Sequence, residues 1–232
     1  MASRKTQAVL PFPAILGSQL WFPDPHHAPR SGPENGLVAL GGDLSVARLL
    51  LAYRSGLFPW TDDPITWWSP HPRAIFDLDL VHISRSLSKT IRHGPFHVTI
   101  DQAFPEVIQG CAKPVPGRRS TWISPRFIQA YTQLHQAGHA HSVECWLDGK
   151  LAGGVYGVAI GGLFAGESMF HRVSNASKVA LCALLEHLRE RSCQLFDIQM
   201  LTPVTAQLGA ITIPRDEYLR RLANSLAASR CF

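Results

Sequence analysis

No apolar run in this chain approaches the roughly 20 residues that a membrane-spanning helix needs. The opening MASRKTQAVLPFPAILG carries prolines where a secretory signal would keep an unbroken apolar stretch. The expectation is a soluble, cytoplasmic protein. Cysteine is scarce and unpatterned: Cys111, Cys145, Cys182, Cys193 and Cys231 are an odd number, without C-x-x-C or Cys/His ligand spacing. Neither a disulfide framework nor a metal site is expected. There is no G-x-x-x-x-G-K-[ST], hence no ATP phosphate loop. No cofactor is expected, and neither repeats nor low-complexity segments occur. Acidic residues are short as well, 17 Asp and Glu against 22 Lys and Arg. Much of the basic excess sits in the middle third, at Arg73, Arg85, Lys89, Arg92 and His93, then Lys113, Arg118, Arg119 and Arg126. That concentration favours a polyanionic partner, with a merely solvated basic face, the usual fate of such clusters, as the alternative.

What is present is enough for a sizeable core in one or two domains, given 232 residues. The most informative stretch is Gly161 to Lys178, GGLFAGESMFHRVSNASK, because one carboxylate interrupts an apolar strand. A period of two puts Leu163, Ala165, Glu167 and Met169 on one face and Phe164, Gly166, Ser168 and Phe170 on the other. A charge at Glu167 costs free energy unless it is paired or used. Ser174 or Asn175 then caps a helix with Val179, Cys182, Leu185 and Leu188 on its apolar side. In the next strand, LFDIQML at Leu195 to Leu201, Asp197 and Gln199 lie two apart and so share a face. Singly, each buried carboxylate reads best as a structural group. Together, beside the small residues Gly161, Gly162, Ala165 and Gly166, the three polar groups mark a site that a ligand can approach closely.

Along the chain, residues 1 to about 35 read as an irregular lead-in. A helix capped by Asp43 or Ser45 follows, with Val46, Leu49, Leu50 and Tyr53 inward. Trp60, Trp67 and Trp68 then crowd a proline-rich loop, as core or as the wall of a pocket. From about residue 75 strands and helices alternate, which places the domain boundary there. Ile75 to Val81 reads as a strand, Ser84 to His93 as a helix, and Phe96 to Ile100 as a strand. A helix with Phe104, Val107, Ile108 and Cys111 has Asp101 as its cap. The basic loop to Ser124 is mobile in character, and Ser124 and Pro125 open a helix burying Phe127, Ala130, Tyr131 and Leu134. Asp148 and Gly149 turn a hairpin between His141 to Leu147 and Leu151 to Ile160. A short helix near Thr205, a strand at Ile211 to Ile213 and a last helix with Leu219, Leu222 and Leu226 complete the chain.

A dozen blocks in order, among them GLVALGGDLS, YRSGLFPW, WWSPHPR, HISRSL, TWIS, AHSVECW, GGVYGVAIGGLFAGESMF, NASK, FDIQ and IPRDEYL, resemble the leucyl/phenylalanyl-tRNA-protein transferase family. The resemblance covers about four fifths of the chain. It implies a mixed α/β (α+β) fold, with a small N-terminal domain (1–74) before an acetyltransferase-like (GNAT) domain (75–232) with a mixed central sheet. It implies a monomer that moves Leu or Phe, Met more weakly, from aminoacyl-tRNA to the α-amine of acceptor proteins beginning with Arg or Lys, feeding N-degron degradation. By motif position Asp197 would orient Gln199, whose amide oxygen receives the amine, and Glu167 would orient the reacting groups or meet the positive acceptor. Tyr53, Trp60 and Trp122 would contact the terminal adenosine. Val155, Phe164, Ser168, Met169, Leu184 and Phe196 would surround the amino-acid side chain, and Arg85, Lys89, Arg92, Arg118 and Arg119 would hold the tRNA backbone. The chain departs from the family's usual residues at Val155, Leu184 and Ile198, and in TPVTAQ. Two rival classes share some features. A CoA-dependent N-acyltransferase should show a glycine-rich pyrophosphate loop opening a helix, whereas GGVYGVAIGG reads as strand. A non-catalytic tRNA-binding module would leave Asp197 and Gln199 without a role.

Overall fold

The structure is a computed structural model that describes residues 12–114 and 121–232. Arg118, Arg119 and most of the basic loop expected before Ser124 lie outside the described residues. Two sheets carry the chain. In the first, β1 (Ala14–Leu16), β2 (Leu37–Gly41), β3 (Phe58–Asp62) and β4 (Ile65–Trp68) lie in the order β1-β2-β4-β3. This corrects two expectations. The lead-in is not wholly irregular, since Ala14 and Leu16 are buried in a short strand parallel to β2. The tryptophans lie on or beside a hairpin, β3 to β4, rather than in a loop. Three residues are too few for a period to emerge, and the hairpin's prolines hide its alternation. Trp67 is fully buried, its Nε1 donating to the Gly41 carbonyl at 2.9 Å.

The second sheet has the order β11-β5-β10-β9-β8-β7-β6. Its strands are β5 (Arg73–Phe76), β6 (His97–Ile100), β7 (Ala140–Leu147), β8 (Lys150–Ile160), β9 (Leu163–His171), β10 (Leu195–Gln199) and β11 (Ile211–Ile213). Every neighbouring pair is antiparallel except β9 with β10. The mixed α/β class expected from the sequence is therefore present. On one face pack α3 (Phe104–Ala112) and α4 (Pro125–Gln136), and on the other α5 (Ala176–Glu190), with α2 (Arg85–His93) against it. The α3 and α4 face shares one buried cluster with Tyr53 of α1 (Val46–Arg54) and with Trp67, so both sheets contribute to the same core. A further cluster forms under α5. The chain closes with α6 (Pro203–Gln207) and α7 (Arg215–Leu226).

The helix starts follow from serine hydroxyls: Ser45, Ser84 and Ser124 accept from the backbone N–H of Arg48, Leu87 and Phe127. Asp148 and Gly149, at φ 48° and 70°, make the mirror-image turn that joins β7 to β8. Other expectations need correction. Asp101 does not cap α3; it accepts from Ser142 N and pairs with His141, while buried Glu144 of β7 takes the N–H groups of Gln102 and Ala103. Neither serine nor asparagine caps α5 through its side chain, because Asn175 sits in the left-handed region at φ 67°. The strand expected from Ile75 to Val81 ends at Phe76.

Candidate active site where the parallel strands part

Parallel pairing of β9 with β10 lasts for three residue pairs, Leu195 with Leu163, Phe196 with Phe164 and Asp197 with Ala165. Beyond it, Gly166, Glu167, Ser168 and Met169 are only half-buried. The strands part there, and the opening is the site. Against β8 the register passes from Tyr156 opposite Ser168 to Gly157 opposite Gly166, leaving Glu167 without a partner. Such a bulge reverses the alternation of every later side chain. Met169 consequently packs with Val155 under α5, while Glu167 stays with Ala165 on the α4 side, and Ser168, opposite Tyr156, joins them. The expectation that Met169 shares the Glu167 face is thereby overturned. Glycine is required at the bulge: a Cβ on Gly157 would lie 2.3 Å from the Ala165 carbonyl oxygen.

A second irregularity falls between Asp197 and Gln199 where β10 runs along β5. Gln199 has φ 55°, a left-handed conformation that a glutamine adopts only when its surroundings hold it there. Asp197 supplies the hold. Its Oδ1 accepts the Gln199 backbone N–H at 2.9 Å and Arg73 Nε at 2.8 Å; its Oδ2 accepts Arg73 Nη2 at 2.6 Å and the Tyr218 hydroxyl at 2.9 Å. Asp197 and Arg73 are both fully buried. Burial works to lower the Arg73 pKa, but the Asp197 carboxylate more than reverses it, so the guanidinium stays charged. Arg73 is therefore no part of a polyanion-binding surface, contrary to the reading of the basic middle third.

Beyond this anchor, Gln199 Nε2 donates to Glu167 Oε1 at 3.3 Å. Glu167 Oε2 accepts from the Tyr131 hydroxyl at 3.1 Å, and that hydroxyl bonds the Tyr53 hydroxyl at 2.5 Å. Burial pushes the Glu167 pKa up to about 7, while the Tyr53 and Tyr131 hydroxyls pull it back. A carboxyl that exchanges its proton near neutrality is suited to general acid–base work. Glu167 and Gln199 face a cavity of about 180 Å³, walled by Phe58, Trp60, Trp122 and Ile198.

Of the residues anticipated from sequence, Asp197, Gln199, Glu167, Trp60 and Trp122 come together here, with Tyr53 behind the carboxylate. Val155, Phe164, Leu184 and Phe196 are buried under α5 on the other face of the sheet, with Met169 half-buried beside them. Arg85, Lys89 and Arg92 are exposed along α2, on that same side. Arg73, Tyr131 and Tyr218 join the site without any motif in the sequence that marks them. A signal for Arg73 exists, because a buried aspartate demands a cation or several donors. Tyr131 reads only as a buried helix position, although its hydroxyl also needs a partner. Among the described residues no group of three or more His, Cys, Asp or Glu could hold a metal ion.

Fold and site together define an α/β protein with a carboxylate and an amide set in a cleft between parting strands, behind an aromatic mouth. Residues 75–223 match the family model of leucyl/phenylalanyl-tRNA protein transferase, and residues 42–71 match that of its N-terminal domain. The leucyl/phenylalanyl-tRNA--protein transferase of Pectobacterium carotovorum subsp. carotovorum (strain PC1) is 53% identical over 211 residues, 90% of this chain and 88% of that one. That of Solidesulfovibrio magneticus is 52% identical over 204 residues, 87% of this chain and 81% of the relative. The chain belongs to the leucyl/phenylalanyl-tRNA-protein transferase family, and is thus an aminoacyltransferase. Solved structures resemble it more remotely. L-PGS from Bacillus licheniformis gives a TM-score of 0.40 at 15% identity over 73% of this chain and 56% of that one. A ribosomal-protein-alanine N-acetyltransferase from Brucella melitensis biovar Abortus 2308 gives 0.30 at 20% identity over 42% and 74%.

Proposed function

We propose that the chain transfers leucine or phenylalanine, and methionine more slowly, from aminoacyl-tRNA to the α-amine of proteins that begin with Arg or Lys, marking them for N-degron degradation. The observation that carries this reading is the Gln199 amide. With Nε2 engaged by Glu167, Oε1 is left to accept an N–H from an amine entering the cavity. In the reaction the amine nitrogen attacks the ester carbonyl. A C–N bond forms, the C–O bond to the ribose breaks, the amine gives up a proton and the ribose oxygen gains one. The ester is already activated, so no nucleotide is consumed. With an ordinary α-amino pKa of about 7.7 to 8.0, enough neutral amine is present near pH 7.5, and the proton it gives up on attack passes to the departing ribose oxygen. Trp60 and Trp122 offer flat faces for the terminal adenine, where stacking contributes roughly 1 to 3 kcal/mol per base.

The aminoacyl side chain enters where β9 and β10 part, towards Phe164, Met169 and Phe196, with Val155 and Leu184 behind and Ser168 at the rim. Arg85, Lys89 and Arg92, with Arg118 and Arg119, meet the tRNA backbone. The chain works as a cytoplasmic monomer, residues 1–74 forming the small N-terminal unit and 75–232 the catalytic one. All strands from β5, which begins at Arg73, belong to the larger sheet, which supports a division close to that point. The test is transfer of radiolabelled leucine from Leu-tRNA by the purified chain. Label should enter an Arg-initiated peptide, and not the same peptide with an acetylated N-terminus. Equal labelling of both, or transfer only of acyl groups from CoA thioesters, would overturn the reading.

A further inference from the structure

We infer that Tyr131, backed by Tyr53, is a positioning residue: its hydroxyl keeps Glu167 ionised and thereby fixes which end of the Gln199 amide faces the cavity. The inference rests on the transferase reading only for what that amide then does. The buried groups that face Glu167 are Tyr53 from α1, Tyr131 from α4, Tyr156 from β8, Asp197 and Gln199 from β10, and Arg73 from β5. Of these, Arg73 and Asp197 neutralise one another through two hydrogen bonds. Tyr156 brings a buried hydroxyl that has no partner among the described residues. The shortest bonds to the carboxylate come from Tyr131 on one oxygen and Gln199 on the other, and the Tyr53 hydroxyl also lowers the Glu167 pKa.

A hydroxyl has one proton to donate. Since Tyr131 gives its proton to Glu167 Oε2, the bond between the two phenols is donated by Tyr53, and the order runs Tyr53 to Tyr131 to Glu167. Burial first, and then the charge of Glu167, push both phenols well above their ordinary pKa, so each remains a donor throughout the neutral range. With Oε2 occupied, a proton arriving at Glu167 goes to Oε1. There it meets the Nε2–H of Gln199. A carboxylate only accepts, so ionised Glu167 faces the NH2 end of the amide; a protonated one faces the C=O end. Protonation thus turns the Gln199 amide over and points Nε2, a donor, into the cavity where an amine needs an acceptor. Tyr131 opposes that turn by stabilising the ionised carboxylate.

The direct test follows the Glu167 carboxyl by ¹³C NMR of glutamate-labelled full-length chain across pH 5.5 to 9, with the signal assigned by its absence in Glu167→Gln. Removing a hydrogen bond to a charged group, which contributes about 1.5 to 3 kcal/mol, is expected to move the midpoint up by about one pH unit or more in Tyr131→Phe. Tyr53→Phe should move it in the same direction. Tyr156→Phe, which deletes an equally buried but unbonded hydroxyl, should leave it in place. In single-turnover transfer from Leu-tRNA, the acid limb of Tyr131→Phe should move by the same amount, with KM for Leu-tRNA within about twofold of wild type and the rate recovering by pH 9. An unmoved midpoint in both Tyr131→Phe and Tyr53→Phe, or an equal shift in Tyr156→Phe, would overturn the inference. A lack of transfer by the wild-type chain would count against the transferase reading and leave the NMR result to decide this one.

Discussion

Glu167 is charged at a cost, and the cost has a sign that can be measured. Its pKa in the fold, about 7, lies above the 4.5 of an ordinary glutamate. The stability it contributes is therefore full below pH 4.5 and is lost as the pH rises through 7. Glu167→Gln should raise the melting temperature at pH 8 and change it little at pH 5. A gain on the order of 1 to 3 kcal/mol corresponds to roughly 2 to 4 °C per kcal/mol for a chain of this size. A melting temperature equally altered at both pH values would show that the substitution acts through packing instead. Asp197 has the opposite character. It accepts four hydrogen bonds, and losing it leaves Arg73 charged and buried. Asp197→Ala should cost about 3 to 5 kcal/mol in chemical denaturation, so its effect on transfer is read against folded fraction.

The two strands that build the site are legible as strands, and their polar residues stand out because each interrupts an apolar run. Their consequences are not legible. A period of two assumes unbroken pairing, and both Glu167 and Gln199 sit at irregularities imposed by the partner strands β8 and β5. Local sequence shows only glycine opposite glycine, whose meaning depends on the register. Gly157→Ala tests that meaning. The added methyl meets the Ala165 carbonyl and the Phe164 ring, and a loss of about 1 to 3 kcal/mol or more is expected, together with loss of transfer. Wild-type stability in that variant would show that the bulge adapts. At the level of helices, α2 is the test of the tRNA path. Replacing Arg85 and Lys89 by alanine should flatten the log–log salt dependence of tRNA affinity by about 0.7 to 0.9 for each phosphate that is no longer neutralised. An unaltered slope would make α2 a solvated face.

Distant parts of the chain are joined by buried arginines that no periodicity reveals. Arg48 donates to the carbonyls of Gly17 and Gln19, and Arg215 of α7 donates to those of Pro25, Ala28 and Pro29. The described lead-in, from residue 12 to about 35, thus owes its order to partners far along the sequence, which is why it reads as irregular while the serine-capped helices, whose signals are local, do not. Arg73 and Asp197 are likewise far apart in sequence, as are Tyr53 and Glu167, so the site joins α1 to the larger sheet, and the smaller sheet adds Phe58 and Trp60 of β3. At the centre of the site the Gln199 side chain accepts the incoming amine, and removing that side chain tests this role. Single-turnover leucine transfer to an Arg-initiated peptide is compared for wild type and Gln199→Ala, with Leu-tRNA affinity measured on the same samples. In Gln199→Ala the rate should be at least tenfold lower with affinity unchanged, an effect confined to the chemical step. Transfer at the wild-type rate, or a loss matched by an equal loss of tRNA binding, would contradict it.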